Sequence, residues 1–149
     1  MGKRREGREA AVQCLFADDL QDAVSEEGHK SFWELHSARP GARALAEEWI
    51  RGVHENRDAI DAEIVSALKN FSLGRLAVVD RNILRLAVYE LMFSPDLPAP
   101  VILNEAIEIA KALGATESGG FVNGVLQKLS EKLRGNTPNQ PAEVEAEAE

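Results

Sequence analysis

A cluster of basic residues at the start of the chain carries the clearest chemical signal. Four of them fall within the first eight residues: Lys3, Arg4, Arg5 and Arg8. The acidic residues interspersed before residue 15 are Glu6 and Glu9. Arginine presents a planar fork of N–H donors that matches phosphate oxygens, and a basic segment can follow a single-stranded backbone. The cluster therefore predicts nucleic-acid binding, and the alternative is a basic segment that only aids solubility.

An aromatic residue on the first predicted helix extends this hypothesis. Phe16 follows Arg8 by eight residues, about two helical turns, so the two side chains can share one flank of the helix. An aromatic ring beside guanidinium groups can stack on an unpaired base. The same spacing also fits a Phe16 that packs in the core, and the sequence leaves both interpretations open.

No grouping of residues along the sequence predicts catalysis or metal binding. The three histidines, His29, His36 and His54, fall in different predicted segments, and no His-Glu-x-x-His pair occurs. Cys14 lies beside the apolar face of the first helix, which favours a small buried side chain over a nucleophile. We therefore expect no enzyme activity, no cofactor and no metal site.

The elements that must position these residues are all predicted to be helices. Apolar residues recur at helical spacing along most of the chain, and no useful stretch alternates with period two. Between residues 76 and 92 the apolar residues surround most of the helix, which indicates a buried central helix. The proline-rich segment 94–100 predicts a rigid connection. The pattern favours an all-α protein of about seven helices.

Breaks in the pattern predict where the helices end. The polar segment 22–30 is predicted as a loop, and a short helix around residues 32–35 is closed by Pro40. A long apolar stripe from 45 to 68 has a predicted break at 56–58. We expect one domain over residues 1–135, made of two sub-bundles at about 3–70 and 72–135.

Charge and composition bound the class of protein. The 149 residues carry a formal net charge of -8 and are 44% hydrophobic, with a mean hydropathy of -0.25. No apolar run approaches the roughly 18 residues of a membrane span, and no apolar segment follows the basic start as in a signal peptide. One cysteine permits no internal disulfide. We expect a soluble cytoplasmic protein without membrane contact.

The C-terminal segment is predicted to be a disordered acidic tail. Residues 136–149 contain two prolines, four glutamates and no basic residue, a composition typical of disorder. The acidic residues of the tail lie at the opposite end of the chain from the basic cluster. Because binding follows the local charge, the acidic total does not exclude a nucleic-acid partner.

Three ordered blocks of sequence resemble the NusB family of transcription antitermination factors. The first is REAAVQCLF at 8–16, and the second is DRNILRLAVYEL at 80–91. The third pairs NEAIEIAK at 104–111 with FVNGVL at 121–126. The resemblance covers roughly residues 4–133 and is strongest after residue 76.

The resemblance implies two packed three-helix sub-bundles and an RNA-binding role. Members of the family bind the boxA element of ribosomal RNA leader transcripts together with NusE, a small-subunit ribosomal protein. They join the RNA polymerase antitermination complex with other Nus factors. The residues that the resemblance assigns to RNA binding are Lys3, Arg4, Arg5, Arg8, Phe16 and Glu117. Asp80 matches an acidic position that faces NusE.

Two departures from the family pattern remove positive charge near the implied RNA face. Glu6 interrupts the basic cluster, and Gly119-Gly120 replace a stretch that often holds a basic residue. Because each lost phosphate contact lowers RNA affinity, we expect NusE to be required for useful boxA affinity. The alternative function is a helical protein–protein scaffold without specific RNA binding. The sequence leaves both a monomer and a homodimer open.

Overall fold

The computed structural model describes residues 2–70 and 72–135, and these residues form a helical fold. The seven α-helices are α1 (Lys3–Gln21), α2 (Glu26–Leu35), α3 (Pro40–Glu55), α4 (Arg57–Ala67), α5 (Val78–Phe93), α6 (Ala99–Leu113) and α7 (Ser118–Arg134). A short 3-10 turn, Leu73–Arg75, lies between α4 and α5. These described residues contain no strand, so the prediction of an all-α protein with about seven helices is confirmed. The predicted tail at 136–149 lies outside the described residues.

Helix α5 is the central element of the fold. It contacts α1, α3, α4, α6 and α7, and its side chains are buried on most sides. The apolar ones, such as Ile83, Leu84 and Val88, enter the core. This burial confirms the prediction of a central helix, because a helix that is apolar around its circumference must be enclosed by others.

The outer helices surround α5 in two groups that share one core. Helix α1 packs against α3, and α6 packs against α7. Helix α4 packs against α5 and α7 as well as against α3. One cluster of buried apolar side chains therefore continues from the first half of the chain into the second.

The ends of three helices follow from local chemistry. The prediction of a loop over all of 22–30 was wrong, because the Ser25 hydroxyl accepts a hydrogen bond from the Gly28 N–H at 2.9 Å and caps α2. The predicted break at 56–58 is confirmed: Asn56 separates α3 from α4, and its side chain donates to the Gly52 carbonyl at 2.8 Å. Gly135, with a φ of 93°, follows the last residue of α7.

Close approach between helices requires a glycine on α3. A Cβ atom at Gly52 would overlap the ring of Tyr89 on α5. The missing side chain therefore lets Tyr89 pack directly on the α3 backbone.

No helix within the described residues is long and apolar enough to cross a membrane.

Candidate nucleic-acid and partner interface

Lys3 and Arg4 are exposed cations in the first turn of α1. Neither side chain has an ion-pair partner among the described residues. They lie beside two open grooves. One, of about 380 Å³, is lined by Arg4 and by Val101 of α6, and the other, of about 690 Å³, by Lys3 and by Leu45 of α3. An anion that approaches this end of the molecule meets these two charges without displacing a carboxylate that belongs to the described residues.

Arg5 is half-buried and paired with a carboxylate. Its Nε and Nη2 atoms donate to the two carboxylate oxygens of Glu105 on α6, each over 2.7 Å. The hydrogen bond from Arg5 lowers the pKa of Glu105 below its ordinary value. A phosphate that binds Arg5 must therefore compete with a fixed carboxylate.

Arg8 points into the interior of the protein. Its Nε and Nη2 atoms donate to both oxygens of Glu90 on α5, over 2.9 and 2.8 Å. Only 4% of the Arg8 side chain and 3% of the Glu90 side chain are exposed. The guanidinium also lies over the ring of Trp49, 4.8 Å from its centroid. The structure thus places Arg8 where it joins α1 to α5 and α3, away from solvent.

Glu6 forms an ion pair with Arg39, the residue that precedes α3. Its carboxylate accepts from the Arg39 Nε at 2.6 Å and from the Arg39 backbone N–H at 3.1 Å. The side-chain hydrogen bond from Arg39 is the main cause of the lowered pKa of Glu6. Because Arg39 compensates this carboxylate, Glu6 subtracts less from the charge of the basic cluster than its position in the sequence indicates.

Phe16 lines a groove of about 860 Å³ between α1 and α2. The walls include the apolar side chains of Phe32 and Leu35 on α2, Val79 on α5 and Leu113 on α6. Leu35 is 91% exposed, so the groove presents apolar surface to solvent. Within the described residues, no arginine lines this groove. The structure therefore separates Phe16 from the basic cluster, although both lie on α1.

Asp80 lies in the first turn of α5. It follows Val79, which lines the groove. Its Oδ1 atom is buried and accepts no hydrogen bond from the described residues. The positive end of the helix dipole stabilises a carboxylate here, and an unsatisfied buried acceptor favours a partner that can supply a donor.

Glu117 is exposed at the N-terminal end of α7. Its side chain forms no cap hydrogen bond, whereas the neighbouring Ser118 hydroxyl accepts from the Ala115 N–H at 3.0 Å. The carboxylate is consequently available to solvent and to a ligand, and its charge repels a phosphate that comes near it.

A family model described as "NusB family" matches residues 5–131. The chain belongs to the NusB family. Among relatives named transcription antitermination protein NusB, that of Sorangium cellulosum is 47% identical over 133 residues, covering 89% of this chain and 95% of the relative. That of Geobacter sulfurreducens is 45% identical over 136 residues, covering 89% of this chain and 97% of the relative.

Solved NusB structures share the fold. The NusB structure from T. maritima has 40% sequence identity and a TM-score of 0.77, and covers 89% of this chain and 92% of its own. A structure of the antitermination factors NusB and NusE in complex with double-stranded RNA matches with 27% identity and a TM-score of 0.76. It covers 89% of this chain and 98% of that one. The NusB family is not known as a family of enzymes.

This NusB-family chain also contains polar networks that sequence spacing did not reveal. Arg85 of α5 donates to both Asp61 oxygens, at 2.8 and 3.1 Å, and to Asp19 at 2.9 Å. Near these contacts, the Nε2 atoms of His29 and His54 lie 2.7 and 2.9 Å from the same oxygen of Asp18. The partners are 11 to 66 residues apart, and no local pattern connects such positions.

The surroundings of Cys14 and Asp19 shift their pKa values in opposite directions. Burial, together with the negative charge of Asp18, raises the pKa of the Cys14 thiol to about 12, so this thiol is protonated at neutral pH. For Asp19, burial acts to raise the pKa, but hydrogen bonds from Arg81 and Asn82 and the nearby arginine charges outweigh it and lower the pKa. Asp19 therefore stays ionised beside the guanidinium groups.

Proposed function

We propose that this chain is a transcription antitermination factor. It binds the boxA element of ribosomal RNA leader transcripts together with NusE and promotes processive transcription of ribosomal RNA operons. Its relatives carry the name transcription antitermination protein, and a protein of the same fold has been solved with NusE and RNA. The observation within this chain that carries the proposal is that Lys3 and Arg4 are exposed beside two open grooves and have no ion-pair partner among residues 2–70 and 72–135.

The basic cluster divides into two working parts in this proposal. Lys3 and Arg4 contact phosphates directly, and Arg5 joins them when a phosphate replaces Glu105. Arg8 contributes by positioning, because its pair with Glu90 fixes the first turns of α1 relative to α5. Glu117 tunes the RNA affinity through its negative charge.

The groove beside Phe16 suits a protein partner. Its walls are largely apolar, as in the centre of a partner site. Asp80 follows the wall residue Val79 in the chain, and its Oδ1 atom has no hydrogen-bond partner among the described residues, so a donor of the partner can supply a directional polar contact there. We assign NusE to this groove, with Asp80 accepting from a donor of NusE. Phe16 then contacts RNA only where the RNA extends past NusE.

The wider setting follows from the same function. The complex with boxA RNA and NusE joins RNA polymerase and the other Nus factors in the cytoplasm. The proposal requires no membrane, cofactor or metal. It holds for a monomer, and for a homodimer whose RNA-binding surface around Lys3 and Arg4 becomes exposed.

A protein–protein scaffold without specific RNA binding is the second candidate. The observation that favours it is the neutralisation of Arg5 and Arg8 by Glu105 and Glu90, which leaves a smaller basic surface than the sequence indicates. In this case the apolar groove carries the whole function.

Fluorescence anisotropy separates the two candidates. A boxA oligonucleotide and a scrambled control of equal length are titrated with the full-length protein, with and without NusE. The proposal predicts a preference for boxA that NusE strengthens. Equal and weak binding of both RNAs, with NusE present, would support the scaffold instead.

A further inference from the structure

Three helices bring a set of metal-ligating side chains together near the C-terminal half of α1, whereas the basic cluster lies at its N-terminal end. Cys14 and Asp18 lie one turn apart on α1, His29 comes from α2 and His54 from α3. The ligand atoms of Cys14, Asp18 and His29 all lie within 4.8 Å of one another. His54 Nε2 is 2.9 Å from the same Asp18 oxygen that His29 contacts at 2.7 Å.

The donor types and their spacing fit a divalent ion of intermediate softness, such as Zn²⁺. A thiolate, an imidazole and a carboxylate are the ligands that Zn²⁺ uses, at about 2.0–2.3 Å from the ion. Two ligand atoms on a tetrahedral ion are then roughly 3.3–3.6 Å apart. His29 and Asp18 must separate by about 0.5 Å to reach this spacing. Helix α2 carries no buried residue, so this shift of His29 disturbs little of the core.

The cluster is largely enclosed by the protein. Cys14 is fully buried and Asp18 is nearly so, which excludes competing water from two of the three ligands. Asp18 and His54 also line a cavity of about 190 Å³, which leaves open space beside the carboxylate. The Nε2 atoms of two imidazoles converge on one oxygen of the Asp18 carboxylate, so three groups able to ligate a metal meet at this point.

We propose that Cys14, Asp18 and His29 bind one divalent transition-metal ion of the zinc class, with His54 holding the Asp18 carboxylate in place. As the metal–sulfur bond forms, the Cys14 thiol releases its proton to solvent, and His29 keeps its proton on Nδ1. With three protein ligands, a water molecule completes the coordination. The raised thiol pKa sets only the cost of removing that proton.

Metal binding would fix helix α2 to α1 and α3. Helix α2 contributes Phe32 and Leu35 to the wall of the groove that Phe16 lines, and Phe32 and Trp33 anchor it on the core. A bond from the metal to His29 would therefore make that wall more rigid. The site itself does not depend on the RNA-binding proposal.

Cobalt titration of the chelator-treated, reduced full-length protein tests the site. We expect one equivalent of Co²⁺ to bind and to produce the charge-transfer band of a thiolate–cobalt bond in the near ultraviolet. Cys14→Ala should abolish the band, and His29→Gln should weaken binding at least tenfold. His54→Gln removes a group that orients a ligand, for which a loss of roughly 10–100-fold is typical.

The control is His36→Gln, which alters the third histidine of the chain, about two helical turns beyond His29. This variant should bind Co²⁺ as the unaltered protein does. Circular dichroism of each variant reports folding, and His29, whose side chain is 25% exposed, provides a variant that does not depend on replacing the buried Cys14. The proposal is overturned if the unaltered protein produces no thiolate–cobalt band. It is also overturned if His29→Gln and His36→Gln bind with equal affinity.

Discussion

Arg8 and Glu90, 82 residues apart in the chain, form a bidentate ion pair that is almost completely buried. The pair joins the helix that begins with the basic cluster to the central helix of the fold. Because the Arg8 guanidinium is buried, this arginine of the basic cluster can fix α1 against α5 while exposed residues are left to contact RNA. Lys3 and Arg4, which have no ion-pair partner in the part of the chain that the structure describes, are thereby attached to a helix that is fixed to the core.

Breaking this pair should strongly destabilise the fold. Arg8→Ala leaves the Glu90 carboxylate buried without its partner, and we expect a loss of about 3–5 kcal/mol in the free energy of unfolding. Urea denaturation followed by circular dichroism measures it. Lys111→Ala, which removes an exposed pair with Glu108, is the control and should cost less than about 1 kcal/mol. Similar losses for the two variants would contradict the assignment.

The pair between Arg5 and Glu105 should make stability depend on pH. Because the hydrogen bond from Arg5 lowers the pKa of Glu105 in the folded state, the unfolded state binds more protons in mild acid. The contribution is therefore complete above the ordinary glutamate pKa of 4.5 and is lost as the pH falls through the lowered folded-state value.

Glu105→Gln measures this dependence. We expect it to reduce the free energy of unfolding by roughly 0.5–1 kcal/mol at neutral pH and by less in acid below the folded-state pKa. Urea denaturation at the two pH values supplies the comparison. An equal loss at both would show that the ionised carboxylate is not the source of the stability.

Asp80 should contribute to NusE binding without supporting the fold. Asp80→Asn keeps the shape of the side chain and removes its charge, so we expect NusE to bind about 5–20-fold more weakly while thermal unfolding changes little. Isothermal titration calorimetry with NusE gives the affinity. Asp96→Asn, in the connection between α5 and α6, is a control of the same chemistry. Unchanged NusE affinity in Asp80→Asn would remove this residue from the partner site.

Local patterns were enough to predict the helices and the central position of α5. Apolar side chains at helical spacing around the whole of α5 require neighbours on all sides, and Asn56 interrupts a continuous stripe where the chain turns. The start of α2 was missed because polar composition outweighed a short capping signal at Ser25. A serine followed by two glutamates could have identified that helix start.

The candidate site was predictable only in its composition. The sequence shows four cations near its start, but whether each is free depends on carboxylates far along the chain: Glu90 and Glu105 neutralise Arg8 and Arg5. The separation of Phe16 from the basic cluster likewise depends on the packing of α2 beside α1. Such pairings arise from the tertiary fold, and one sequence contains no periodicity that reveals them.

The central claim is that Lys3 and Arg4 supply direct phosphate contacts, and the salt dependence of boxA binding tests it most directly. The measurement compares Lys3→Ala/Arg4→Ala with Lys69→Ala/Arg75→Ala, which removes one exposed lysine and one exposed arginine elsewhere. Anisotropy titrations with NusE present are made over a series of salt concentrations.

Each lost contact to a single strand should reduce the slope of log affinity against log salt by about 0.7. We therefore predict that the slope falls by about 1.4 in Lys3→Ala/Arg4→Ala and stays unchanged in the matched control. Equal slopes for the two double variants would contradict the claim that these residues touch the RNA.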